Sequence, residues 1–472
     1  MPKEQRDTAQ AAREQAIAER LGESLRGEVI DRAHPAYDEA RAVWNGLIDR
    51  HPGVIARCAG TADVVDAVEV ARAYRPVVSI RGGAHQVAGS AVCDDGLVID
   101  LSRMKGVYVD PDARTARVQA GVTWGELDRE TQLSALATPG GEVSITGVAG
   151  LTLGGGMGHL MRAHGLSCDG LRSVEIVTAD GRVRTASRDQ DPEVFWAVRG
   201  GGRGLGVVTS FEFGLHPLGP EVSAALLLYP YEDAGTVLRN FRDAVRAVPD
   251  TVSPELALWS VPADPGIPHE LHGSKAVVVL GLYAGPVKDD AATAALAPLG
   301  ELGTPLADLS GPMPYVAMQR MSDGMFPDGG RYYMKSHFLD ELTDEAIRTL
   351  VDHDARRPTP ESLIVIRSLG GAIARVPADD SAYAHRSARV NVSMDATWHD
   401  ARLDETAIGW ARSTWDAMVP FSTGGTYVNF AGLGEEAEAL RPALFGSHEE
   451  RLDRIRGEYD PENLFTAASR RP

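Results

Sequence analysis

A histidine set in glycine constrains this chain more than any other stretch. Ile80 to Ala91 reads IRGGAHQVAGSA and directly follows a short apolar strand, Val77-Val78-Ser79-Ile80. Glycine accepts positive φ and lets the backbone come close to a bound group. The turn Arg81-Gly82-Gly83-Ala84-His85 can therefore wrap a phosphate and aim an imidazole at a ligand. Alone, a glycine-rich turn with a lone histidine is more often an ordinary loop. Two further glycine-rich segments give it weight: Thr138 to Gly158, TPGGEVSITGVAGLTLGGGMG, and Arg199 to Gly206, RGGGRGLG. The first runs on through His159 and His164 to Cys168, 83 positions beyond His85. Three such turns in one α+β unit suit a large ligand with a pyrophosphate held by backbone N–H groups.

The familiar nucleotide sites do not match. Gly154-Gly155-Gly156-Met157-Gly158 lacks the G-x-G-x-x-G spacing, and the flanking strands read as hairpins rather than βαβ units, which disfavours a nicotinamide dehydrogenase. No G-K-[ST] follows a glycine loop, so a P-loop is excluded. His159 and His164 stand five apart without an HExxH, so no metal site is expected.

At 472 residues and 43% hydrophobic the chain can bury two cores. A net charge of −19 excludes the basic face that nucleic acid or an anionic membrane requires. Three cysteines, Cys58, Cys93 and Cys168, make no disulfide framework and point to a reducing compartment, hence the cytoplasm. The first 25 residues alternate charge with alanine, read as a frayed or surface-docked helix, and lack the apolar run of a signal peptide.

Periodicity predicts helices over Tyr37–Leu47, Thr61–Tyr74 and Thr123–Leu133, and a hairpin formed by 107–109 and 115–118. His216-Pro217-Leu218-Gly219-Pro220 reads as a boundary. Beyond it, strands near 224–228, 256–261, 276–283, 363–369 and 390–394 are separated by helices near 235–248, 289–296, 344–354 and 405–418. That order predicts an antiparallel sheet backed by helices. The expected units are an extension over 1–25, a cofactor part over 26–220, a substrate part over 221–422 and a return to the cofactor part over 423–472.

The three glycine segments, with VFWAVRGGGRGLGVVTSFEFGLHPL and the terminal YDPENLF, resemble the berberine-bridge-enzyme-like branch of the FAD-linked oxidases. This is a branch of the vanillyl-alcohol-oxidase type of flavoprotein, and the likeness runs from about Leu25 to Phe465. It implies an α+β fold with a two-part FAD-binding domain and a substrate domain built on an antiparallel sheet. It also implies a bicovalent FAD, through His85 to the flavin 8α-methyl and through Cys168 to flavin carbon 6. An imidazole and a thiolate are side chains able to add to an oxidised flavin. Arg81, Gly82, Gly83, Ala84, Gly89, Gly147, Val148, Gly150, Gly154, Gly155, Gly158 and Val207 are the further candidates for the cofactor cradle. Val148 falls in the segment where relatives control oxygen access. Ala84 departs from the family's usual glycine or serine, and its methyl is tolerable at negative φ. The tail Thr466–Pro472 departs from the family's Asn-containing ending.

Tyr427 and Asn429 match the family's Tyr-x-Asn segment. The resemblance implies that Tyr427 takes a substrate proton as hydride passes to the flavin, with Asn429 positioning the phenol or the ring. Tyr332, Tyr333 and His337 are expected in the cavity wall, and His385 and Arg386 in structural roles. The implied activity is oxidation of an alcohol-type or amine-type carbon of a small molecule (sugar, polyphenol, alkaloid or polyketide-like), with dioxygen reduced to hydrogen peroxide. A dehydrogenase using another acceptor and a redox-silent flavin-binding protein are the alternatives. The expected assembly is a monomer or homodimer.

Overall fold

The strand that carries the candidate site is one that periodicity did not mark. The computed structural model describes residues 3–202, 204–287, 290–434 and 437–465. Within it, Arg331–Leu339 is a nine-residue strand at the edge of the largest sheet, paired antiparallel with Val390–Trp398. Its neighbours follow as Leu363–Ser368, Val252–Ser260, Lys275–Tyr283 and Glu221–Pro230, all antiparallel. The predicted helix-backed antiparallel sheet is therefore present.

Strand alternation splits this sheet into two unlike faces. Tyr333, Ile364, Ile366, Val392, Met394, Ala396 and Trp398 point to the helices Ala234–Ala244, Asp344–Asp354 and Asp404–Met418 and form one apolar core with them. The opposite face carries Tyr332, Met334, Ser336 and Phe338, then Asn391, Ser393, Asp395 and Thr397, then Arg367, then Glu255. That face is polar at its centre and is turned toward the glycine-rich turns.

The N-terminal half holds three smaller sheets, one of them only the short pair Leu136–Ala137 with His216–Pro217. Val107–Asp110, Thr115–Gln119, Gly206–Gly214, Leu171–Thr178 and Val183–Ser187 form an antiparallel five-stranded sheet. The four-stranded sheet holds parallel pairs, whereas the strands after Gly158, Leu171–Thr178 and Val183–Ser187, form the expected hairpin. Val54–Arg57 and Val78–Arg81 each pair parallel with Leu97–Asp100, and the helix Thr61–Tyr74 crosses between them. The helix begins as predicted because Val64, Ala67, Val68 and Ala71 bury one face. Lys3–Ser24 is a docked helix, with Ile17 and Leu21 buried in the core of this half.

The helix expected over Tyr37–Leu47 stops at Arg41, where Ala42 turns extended. Asn45 explains the break. Its Nδ2 donates to the carbonyls of Val87 and Tyr332, and its Oδ1 accepts from the Tyr332 amide, so it clamps the histidine turn to the edge strand. At the other end, Phe445, Leu452, Ile455, Leu464 and Phe465 return to the first core, and Asp460 accepts from the amides of Leu464 and Phe465. The tail Thr466–Pro472 lies outside the described residues. Among the described residues no helix is long and apolar enough to cross a membrane.

Candidate active site

Two glycine turns touch backbone to backbone at the base of the site. A Cβ on Gly83 would stand 2.5 Å from the Cα of Gly147, and one on Gly147 would stand 2.6 Å from the Gly83 amide nitrogen. No side chain fits such a contact. Gly147→Ala is expected to cost at least about 1–3 kcal/mol, seen as a lower urea midpoint of the whole protein; an unchanged midpoint would show that the turns do not meet this way. Around them, Gly82 approaches the Ala120 carbonyl, Gly89 packs on Ile48, Gly154 on Asn429, Gly155 on Tyr383 and Gly158 on the Gly140 carbonyl. Gly150 is exposed with open space before it, and Val148 is buried with its amide donated to Val122.

Above this contact the chain is strained. Ala84 has φ of 53°, so the expectation of negative φ is overturned. The left-handed conformation costs an alanine roughly 1–2 kcal/mol. Two contacts hold it there: the Ala84 carbonyl accepts from the Trp44 amide at 3.2 Å, and the Trp44 indole stacks on His85 at 4.1 Å and 16°. Trp44 stacks in turn on Tyr332 at 3.8 Å, so the imidazole is tied to the polar face of the large sheet. Strain of this kind clusters at functional sites. The Nε2 of His85 is buried and without a hydrogen-bond partner. Burial pushes the imidazole down to about 4, so His85 is neutral at pH 7.

Cys168 is buried with Met157, Met161, Phe338, Tyr383 and Tyr427 in one cluster. Its thiol lies 3.8 Å from Oδ1 of Asp169. Burial, then Asp169, push the thiol well up, against the pull of Arg386 and Arg199. The thiolate expected for a nucleophile is therefore not the resting form, because the adjacent carboxylate opposes it. Arg386 was expected to be structural, and its contacts define the structure it serves. It donates to Asp169 at 2.7 and 3.1 Å and to Ser381 at 2.6 Å while buried. Arg386→Met strands the Asp169 carboxylate and is expected to cost about 3–5 kcal/mol. Pairing it with Asp169→Asn should restore most of the loss in urea unfolding; a single variant as stable as the parent would show the pair contributes little.

Tyr427 completes the group. Its phenol oxygen accepts from the amides of Gly156 at 3.2 Å and Met157 at 3.1 Å and from Nδ2 of Asn429 at 2.8 Å. Three donors on one phenol oxygen suit a phenolate better than a phenol, which keeps its own proton there. Burial nonetheless pushes Tyr427 up to about 12, with those donors pulling the other way. Ser336 of the edge strand accepts from the Tyr427 amide, and the Phe430 ring meets Tyr427 edge-on at 5.0 Å.

Alternation divides the expected wall residues. Tyr332 lies on the site face, whereas Tyr333 and His337 point to the helical side, where Tyr333 accepts from Arg412 and His337 stacks on Trp415. Arg81 donates to the carbonyls of Ala40 and Ala42, and Val207 is buried inside the first core. His385 stacks on Phe338 and reaches the carbonyls of Ala443 and Leu444, holding the C-terminal segment. Sequence reasoning did not single out Trp44, Asn45, Tyr383, Glu142, Arg367 or Asp395. None sits at a motif spacing, and they come from separate stretches of the chain that no local pattern connects.

Residues 52–187 match the family model described as FAD binding domain, and residues 426–469 match the one described as berberine and berberine like. The FAD-linked oxidoreductase YgaK of Bacillus subtilis is 30% identical over 451 residues, covering 93% of this chain and 96% of that protein. (R)-6-hydroxynicotine oxidase of Paenarthrobacter nicotinovorans is also 30% identical, covering 94% and 96%. In fold, the chain is similar to glucooligosaccharide oxidase from Acremonium strictum, with a TM-score of 0.83 at 23% identity, covering 96% of this chain and 98% of that one.

Proposed function

Because the chain belongs to the FAD-linked oxidoreductases of the berberine-bridge-enzyme-like family, we propose that it is an oxidase of small molecules, acting on an alcohol-type carbon and passing electrons to dioxygen. The family's cofactor fits the residues present. A strained turn presents a partnerless buried His85 nitrogen beside two glycine turns in close backbone contact. His85 and Cys168 would hold FAD covalently. The glucooligosaccharide oxidase carries a 6-S-cysteinyl, 8α-N1-histidyl FAD, and both side-chain types stand here, as His85 and Cys168, in glycine-flanked segments. On this reading 26–220 and 423–472 bind the cofactor and 221–422 shapes the substrate cavity.

FAD, when bound, supplies the hydride acceptor and the route to dioxygen. The chain's own part is the proton. Tyr427 would take it from the substrate hydroxyl, and the amides of Gly156 and Met157 with Asn429 would stabilise the negative oxygen that must exist beforehand. The observation that supports this reading is that a neutral His85, through Trp44 and Tyr332, and Cys168 with this three-donor phenol, through Phe338 and Ser336, all approach one face of the large sheet.

The test is an anaerobic screen of hydroxylated and amine-bearing metabolites for bleaching of the flavin spectrum, followed by readmission of air and peroxide measurement. Bleaching with stoichiometric peroxide is expected. Bleaching with dye reduction but no peroxide would make the protein a dehydrogenase, and no bleaching across the screen would make it redox-silent.

A further inference from the structure

The polar face of the large sheet carries a surplus of acceptors. Arg367 donates to Glu142 at 2.7–3.0 Å and to Ser393 at 3.0 Å, and Ser393 donates to Oδ2 of Asp395 at 3.1 Å. Glu255 stands 3.7 Å from the same guanidinium. Three carboxylates thus share one arginine. His159 beside them adds no charge, since burial keeps it neutral despite Glu142.

A second row runs along the neighbouring strand and includes Asp395 of that cluster. Along Val390–Trp398, Oδ1 of Asn391, Oδ1 of Asp395 and the hydroxyl of Thr397 are all buried and have no hydrogen-bond partner. These residues are 0, 2 and 1% exposed and alternate along the strand, so their side chains project from the same face. Native buried polar atoms are nearly always satisfied, so a row of orphans marks a place where something else supplies the donors. The side chains of Glu142 and Glu255 remain 15 and 19% exposed, so the face has an opening. The cluster also borders the reacting group: the Arg367 guanidinium lies over the Phe430 ring at 5.5 Å, and that ring packs on Tyr427.

We propose that this face binds the protonated amine of a cationic substrate, with Asp395 as its principal acceptor and Glu142 supplying further negative charge. The proposal rests on the oxidase reading above and names the substrate class for it. A neutral polyol could donate to the orphan row, but it would leave the carboxylate surplus uncompensated. An ammonium supplies both donors and charge. Burial pushes Asp395 up to about 6 despite Arg367, and burial with Glu142 pushes Glu255 well up, toward its neutral form.

The experiment uses the purified flavin-bearing protein, anaerobic, at pH 7.5. Binding of benzylammonium is compared with binding of the similarly shaped benzyl alcohol by calorimetry. The cation is expected to bind at least tenfold more tightly, and Asp395→Asn is expected to lose at least tenfold for the cation while changing the alcohol little. Equal affinities, preference for the alcohol, binding of neither probe, or a loss in Asp395→Asn that is the same for both would overturn the proposal. Should Asp395→Asn fail to fold, the comparison on the unsubstituted protein decides. The flavin spectrum keeps the two readings apart: yellow protein without preference for the cation defeats only this proposal, and colourless protein defeats the oxidase reading beneath it.

Discussion

Replacing both His85 and Cys168 by alanine is expected to move all flavin colour from an acid-precipitated pellet into the supernatant. The unsubstituted protein should keep its colour in the pellet, and each single variant should keep it through the remaining link. The physical case differs between the two residues. His85 is already in its reactive form, because burial holds the imidazole neutral and leaves Nε2 without a competing partner. Cys168 is not, because burial and Asp169 keep the thiol protonated. Attachment at Cys168 should therefore be the slower of the two and should quicken as pH rises, since the thiolate fraction is what adds. Following the two attachments separately in the single variants during reconstitution checks this order. Pellets without colour in the unsubstituted protein would refute both links.

Tyr427→Phe is expected to slow flavin reduction by roughly 10²–10⁴-fold, the range of a positioned general base. The ring and its packing against Phe430 survive the change, so substrate affinity should shift little. The pH profile adds a readout that packing alone would not move. With the phenol up near about 12, the phenolate is a minor species at neutrality. The reduction rate of the unsubstituted enzyme should therefore climb by about tenfold per pH unit through the neutral range and flatten only where Tyr427 titrates. The variant should lose that climb. Rapid anaerobic mixing measures both, and reduction retained in Tyr427→Phe would defeat the base role. The variant also leaves the amides of Gly156 and Met157 and the Asn429 amide without their acceptor, so some loss of stability accompanies it.

The parts legible in the sequence were those written in local chemistry. Glycine at positions 82, 83, 147 and 158 announced close backbone approaches, because no other residue permits them. Helices such as Thr61–Tyr74 and Asp344–Asp354 were legible because one apolar stripe repeats along each. Histidine, cysteine and tyrosine in motif context named the reactive side chains. The Arg331–Leu339 strand was harder, because Lys335, Ser336 and His337 break its hydrophobic alternation. Those polar residues are there because one face serves the site and the other meets Trp415.

What the residues determined alone was an α+β flavin-type chain with an imidazole, a thiol and a phenol to place. Tertiary structure decided the states of those groups and their company. Ala84 took positive φ because Trp44 holds its carbonyl, Cys168 stayed a thiol because it is buried with Asp169 beside it, and Asp395 joined Arg367 through strand pairing, with Glu142 reaching them across more than 250 residues of chain. Charge state and hydrogen-bond partnership depend on distances set by the fold, and those distances bring together residues that no local pattern connects.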